Sequence, residues 1–173
     1  AHPAMASDNI TLPKGACAGV ARTLIGLGIA GLLVTLAGAF VYNAKHAVAS
    51  YAVGVFSVTA ISLGALFWTM VFHQTNAGWH ATVRRQIENI MMNLPLCVGL
   101  IAVMLIVELA SGGLLFSWMR PEYADNHLPH AKKAWHSEPF LVVRFFIYAG
   151  VWTLLATKLF RYSIDQDRTG DRF

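Results

Sequence analysis

Glu108 is the residue most out of keeping with its surroundings, because it carries the one charge in an apolar run over residues 90–119. Read as a single helix, that run puts the carboxylate roughly 18 Å from either end. A charge at that depth in lipid is costly, so the group must face protein or water, be protonated, or meet a cation. Two kinds of chemistry fit. One is a proton relay that takes protons from a quinol or passes them across the membrane; the other is a structural hydrogen bond to a neighbouring helix. Arg144 is the partner suggested by sign, and the two residues together are the proton-relay candidates. Their depths differ by roughly 10 Å on helix rise, so Arg144 is expected to snorkel towards the interface or to pair with another subunit.

A second group of residues with chemical potential lies between residues 120 and 139, where Asp125, His127, His130 and His136 fall close together. Two histidines three apart can share a metal ion. Pro129 between them argues against a regular helix presenting both, so docking against another subunit is the expected role of His127, His130 and Trp135, and no metal site is expected. Arg84 and Arg85 are further interface candidates. Transmembrane haem would need histidines at matched depth, whereas His46 and His73 fall at opposite ends of one apolar run. Cys17 and Cys97 form neither a disulfide framework nor a metal-ligand spacing. No haem c attachment motif, iron–sulfur cysteine array, phosphate loop or dinucleotide fingerprint is present. The chain is therefore expected to hold no redox centre or cofactor of its own.

The elements that must position these residues are apolar. Of 173 residues, 56% are hydrophobic and 13% charged, with mean hydropathy +0.53. A water-soluble domain carries about a quarter charged residues, so the composition argues against a cytosolic globule, a nucleic-acid-binding basic domain and a disordered tail. Low-charge apolar runs at residues 23–42, 47–72, 90–119 and 140–157 predict an all-α, polytopic membrane protein with four spanning helices. Residues 1–22 and 163–173 form tails around a bundle over 23–162. Because a full-length span follows a 22-residue tail, the first run is not expected to be a cleaved signal peptide. The initial Ala in place of Met suggests a trimmed or partial sequence.

Four spans put both tails on one side of the membrane. The tails and the second connection carry Lys14, Arg22, Arg84, Arg85, Lys158, Arg161, Arg168 and Arg172. The opposite side carries Lys45, Arg120, Lys132, Lys133 and Arg144. Eight cations against five predict cytoplasmic termini and an outward loop at 120–139. Small residues spaced by four, such as Gly26 with Ala30, Gly31 with Thr35 and Ala60 with Gly64, suit close helix packing in lipid. Trp79, Val83, Ile87 and Ile90 recur at helical spacing, with Arg84, Arg85 and Glu88 on other faces. This pattern predicts a short interfacial helix leading into the third span, kinked by Pro95 near its start.

Several of these blocks resemble a known family. They are residues 63–67 (Leu-Gly-Ala-Leu-Phe), Ala77-Gly78-Trp79 followed by Arg84-Arg85 and Glu88, and Trp118-Met119-Arg120-Pro121-Glu122. Glu138-Pro139-Phe140 with Arg144 and the tail from Ser163 to Asp167 continue the series. Their order and spacing across residues 60–171 resemble the second polysulfide-reductase-like (NrfD-like) membrane subunit of alternative complex III, a quinol:electron acceptor oxidoreductase. The likeness covers the N-terminal part of a family about twice this length. Residues 137–140 (Ser-Glu-Pro-Phe) stand where the family has an Asn-Val-Pro-Phe-like lead-in to the fourth span.

The resemblance implies a non-catalytic membrane subunit in the bacterial inner membrane. Its implied partners are a paralogous NrfD-like subunit, an iron–sulfur subunit, multihaem cytochrome c subunits and lipids. It also implies quinone or menaquinone nearby, with haem c and iron–sulfur clusters in the partner subunits. The subunit would contribute proton passage or a quinone-adjacent surface and would anchor redox subunits. A purely structural scaffold and half of a small-molecule transporter are the alternatives. The latter predicts an inverted repeat, and no convincing self-similarity between the spans is present.

Overall fold

A computed structural model of the chain describes residues 17–75, 83–120, 122–123 and 130–169. In chain order these form α1 (Ala18–Val41), α2 (Ala44–Gln74), α3 (Arg84–Met91), α4 (Leu94–Ser111) and a 3-10 turn at Ser117–Met119. A short turn of helix α5 (His130–Lys133) and the long α6 (Glu138–Thr169) complete the fold. No strand occurs among the described residues. Four segments are long and apolar enough to cross a membrane: α1, α2, the α3–α4 pair over Arg84–Ser111, and Glu138–Gln166 of α6. The protein is thus an all-α membrane protein, with α3 and α4 acting together as the third span.

Local chemistry sets the helix ends. The side chain of Asn43 caps α2 by accepting the Lys45 N–H at 2.8 Å, so two residues suffice to reverse the chain between α1 and α2. Pro95 lies in the first turn of α4, where its missing N–H has no helical partner to lose. Instead of kinking one continuous helix, it follows a break at Met92–Asn93, where the Asn93 N–H turns back to Ile90 O at 3.1 Å.

The third span corrects a sequence expectation. Helix α4 stops at Ser111, well short of residue 119, because Gly112 adopts a left-handed conformation with φ 67° and Gly113 follows with φ 93°. Both glycines return their N–H groups to Glu108 O, which closes the helix. Hydropathy runs on through Leu114, Leu115 and Phe116, but the backbone does not remain helical. Glu108 consequently lies in the last turn of α4 and not at its middle.

The helices run alternately up and down and pack as a row. Helix α1 packs on α2, and α2 packs on α3 and α4. Helix α6 packs on α4 and less extensively on α2. The buried stripe of α2 is Ala52, Val55, Thr59, Ser62, Leu66 and Thr69. Its hydroxyls donate to carbonyls one turn back, Thr59 to Val55 at 2.7 Å, Ser62 to Val58 at 2.9 Å and Thr69 to Ala65 at 2.9 Å. These side chains are small and internally satisfied, so α4 can approach without stranding a polar group. The densest packing joins Ala65 and Leu66 to Met91, Leu94 and Ala156, with Ile87, Trp152 and Phe160 around them. No residue of α1 is buried. The small-residue pairs Gly26/Ala30 and Gly31/Thr35 do not draw α1 into a neighbour: the Cα positions of Gly26, Gly31 and also Gly64 face open space.

Candidate functional site

The described residues place charged groups at both ends of the bundle, here named after Arg84 and Arg120. At the Arg84 end, α3 turns its polar face inward. The sequence pattern put Glu88 on a face of α3 other than the apolar one, and the structure buries it completely while leaving Val83 and Ile90 partly exposed. Its burial is allowed by charge compensation. Arg84 Nε donates to Glu88 Oε1 at 2.8 Å, and Arg85 Nη1 donates to Oε2 at 2.9 Å. From α6, Ser163 Oγ donates to the same Oε1 at 2.6 Å while accepting from Arg84 Nη2 at 2.9 Å. Arg84 Nη2 also donates to Gln166 Oε1 at 2.8 Å. One buried carboxylate therefore meets two guanidiniums and a hydroxyl contributed by a helix 75 residues away.

At the Arg120 end, Glu108 is also fully buried. Its carboxylate reaches back over the loop that follows α4 and receives backbone N–H groups. Leu115 N donates to Oε1 at 3.0 Å and Oε2 at 3.1 Å, and Phe116 N donates to Oε2 at 3.2 Å. Arg120 Nε holds the same loop from the other side by donating to Gly113 O at 3.0 Å. Gly113 is tightly enclosed: a Cβ there would lie 2.6 Å from Phe116 O and 2.9 Å from Met119 Cβ. The Glu108 carboxylate accepts two amides of the loop that follows its own helix, rather than a bond from a neighbouring helix.

Arg144 does not join Glu108. Its guanidinium carbon lies 4.8 Å from the Trp135 ring centroid and 5.3 Å from that of Phe140, and these two rings are 4.9 Å apart. The guanidinium makes cation–π contacts with these rings and, among the described residues, no ion pair. The two proton-relay candidates are therefore separate features. Phe116 stacks on Trp118, and Trp118 meets His136 edge-on at 5.5 Å. His136 Nδ1 donates to Lys132 O at 3.1 Å.

Among the interface candidates, Trp135 is exposed in this aromatic group, and Arg84 and Arg85 belong to the Glu88 cluster. His127 lies outside the described residues, and His130 opens α5 with a side chain outside the description. No group of three or more His, Cys, Asp or Glu side chains suited to a metal occurs among the described residues. Cys97 is buried 3.9 Å from Ser62 Oγ, and Cys17 is exposed. An open groove of about 400 Å³ between α1 and α2 is lined by Val34, Thr35, Gly38, Tyr42, His46, Ala47 and Ser50.

The class these features define is a polytopic helical membrane protein with a buried polar tie at each end. No family model matches the chain, and no curated protein matches it either.

Proposed function

We propose that the chain is a membrane subunit of a quinol-oxidising electron-transfer complex, similar to the second NrfD-like subunit of alternative complex III. It carries no redox centre and anchors subunits that do. The observation supporting this reading is the meeting of two distant resemblance blocks, Arg84-Arg85 with Glu88 and the segment from Ser163, in one hydrogen-bonded cluster. In this reading the Arg120 end faces the periplasm, where its aromatic group and His-containing loop receive an iron–sulfur subunit and multihaem cytochrome c subunits. The termini are cytoplasmic and the membrane is the bacterial inner membrane. Quinone or menaquinone lies near the chain, and the groove between α1 and α2 supplies apolar walls with Tyr42 and His46 as hydrogen-bonding groups for such a surface.

A second reading, the pure scaffold, is favoured by one observation: the Glu108 carboxylate accepts the backbone N–H groups of Leu115 and Phe116. Affinity purification of the tagged full-length protein from its native membrane in mild detergent tests the assignment. Co-purification of haem c, iron–sulfur protein and quinol oxidation supports it; a chain isolated with none of these overturns it. Glu108→Gln in the same complex then separates the two readings. Proton release per electron falls if protons pass through Glu108 and stays at the wild-type value if the subunit is a scaffold.

A further inference from the structure

Helix α6 has two faces of different character. Ala149, Ala156 and Ser163, spaced by seven, are buried, and Ser163 is the residue that reaches the Glu88 carboxylate. On the far side, Val151, Leu154, Leu155, Lys158, Arg161 and Tyr162 recur three and four residues apart, so they share one stripe. All six are exposed. The stripe begins aliphatic, turns cationic at Lys158 and Arg161, and ends on Tyr162. Lys158 stands roughly 10 Å along the helix from Val151. Arg161 and Tyr162 lie within two residues of Ser163, level with the Arg84–Arg85–Glu88 cluster on the other face. Polar groups therefore begin at one height on both faces of α6, as they do where hydrocarbon gives way to headgroups.

We propose that this stripe of α6 is a binding site for one anionic phospholipid, with the phosphate between Lys158 and Arg161 and an acyl chain along Leu155, Leu154 and Val151. Charge complementarity carries the choice of occupant. The described side chains at this end of α3 and α6 present Arg84, Arg85, Lys158 and Arg161 against the carboxylates Glu88 and Asp165. Glu88 is matched to Arg84 and Arg85. Neither Lys158 nor Arg161 forms an ion pair among the described residues. Three residues apart, they are neighbours on the helix surface, close enough for one phosphodiester to bridge an ammonium and a guanidinium. The stem of Lys158 runs up past the leucines to bring its charge to the phosphate, and the Tyr162 hydroxyl adds a donor at headgroup height. Continuity with the aliphatic part of the stripe selects a lipid over a free phosphate, whose oxygens would leave that part without an occupant. A zwitterionic lipid brings its own cation beside Arg161, so net negative charge is what the pair distinguishes.

Native mass spectrometry of the full chain in mild detergent, titrated with dioleoylphosphatidylglycerol or dioleoylphosphatidylcholine, tests this. The expected result is a first phosphatidylglycerol bound about tenfold to thirtyfold more tightly than phosphatidylcholine, from two cations acting on one net negative charge. The Lys158→Gln/Arg161→Gln variant is expected to bind the two lipids within about twofold of each other. Lys45→Gln/Lys132→Gln, which removes the same charge from the Arg120 end, is expected to keep the wild-type preference. Inorganic phosphate is expected not to displace the lipid. The wild-type titration does not depend on any variant folding. Equal binding of the two lipids by the wild type overturns the proposal and leaves the stripe to a protein partner. A preference lost equally in both double variants overturns it as well, since total charge and not this site would then be read. So does displacement of the lipid by inorganic phosphate, which would show a phosphate site without a seat for the acyl chain.

Discussion

Replacing Ser163 with alanine removes a hydroxyl that both donates to Glu88 Oε1 at 2.6 Å and accepts from Arg84 Nη2 at 2.9 Å. Hydrogen bonds to charged groups are worth about 1.5–3 kcal/mol in protein interiors, whereas interhelical bonds in membranes average about 0.6 and reach about 1.7 kcal/mol. The upper membrane value applies here, since Glu88 is buried and the bond is short, giving a cost of about 1.7 kcal/mol. Glu88→Ala leaves two guanidiniums without their anion. Breaking a fully buried pair costs about 3–5 kcal/mol. The Arg84 and Arg85 side chains retain 20% and 41% exposure and can partly rehydrate, so the lower end, about 3 kcal/mol, is expected.

In the double variant the serine has already lost its acceptor, so its removal adds only about 0.5 kcal/mol. The coupling energy is then about 1.2 kcal/mol, well above the roughly 0.3–0.5 kcal/mol scatter of independent sites. Equilibrium unfolding in mixed micelles of mild and denaturing detergent, followed by circular dichroism, measures all four corners of the cycle. Additive single costs would show that Glu88 and Ser163 do not act together, and the tie between α3 and α6 would then be a contact without energetic weight.

Two further outcomes follow from the geometry. Gly113→Ala places a Cβ at a φ of 93° and 2.6 Å from a carbonyl oxygen. It is expected to lower stability by about 2–3 kcal/mol in the same unfolding assay, whereas Gly99→Ala, where open space surrounds the Cα, changes it by less than about 1 kcal/mol. In a protein with Cys17→Ser and Cys97→Ser, single cysteines at Asn126 and Thr169 should react with an impermeant thiol reagent from opposite sides of the membrane. Reaction of both from one side refutes the up-and-down path.

The apolar segments were legible because each is a long stretch with few charges, and α2 and α6 lie where hydropathy puts them. The end of α4 was not. A hydropathy reading averages over Gly112 and Gly113, and the leucines that follow hide a stop signal that the paired glycines carry. With the end misplaced, Glu108 was placed too deep and given a membrane-centre problem that its actual position in the last turn does not pose. Arg144 lies over Trp135 and Phe140 and not beside Glu108, although the depth difference that argued for this rested on the misplaced helix end. Glu88 was missed for a different reason. Arg84, Arg85 and Glu88 at helical spacing look like a solvated surface, and the groups that draw them inward, Ser163 and Gln166, are supplied by a helix whose proximity no local pattern encodes. The available signal was the charge balance of α3, a carboxylate able to neutralise itself against two neighbours before it is buried.

Helix α1 has a consequence for how the chain tolerates change. No side chain on it is buried, its glycines face open space, and its backbone hydrogen bonds are all its own. Its length, its high hydropathy beyond Arg22 and its loose packing on α2 define it more than the identity of any one residue. Its sequence is therefore free to drift among apolar residues, as a membrane span specified only by bulk character. In α2, Ser62 and Thr69 are each 1% exposed, and a larger side chain at either position would push α3 or α4 away. Two adjacent helices joined by a two-residue turn are thus subject to very different mutational pressures. A random-substitution library selected for stable insertion would show this as a sharp rise in constraint on passing Asn43.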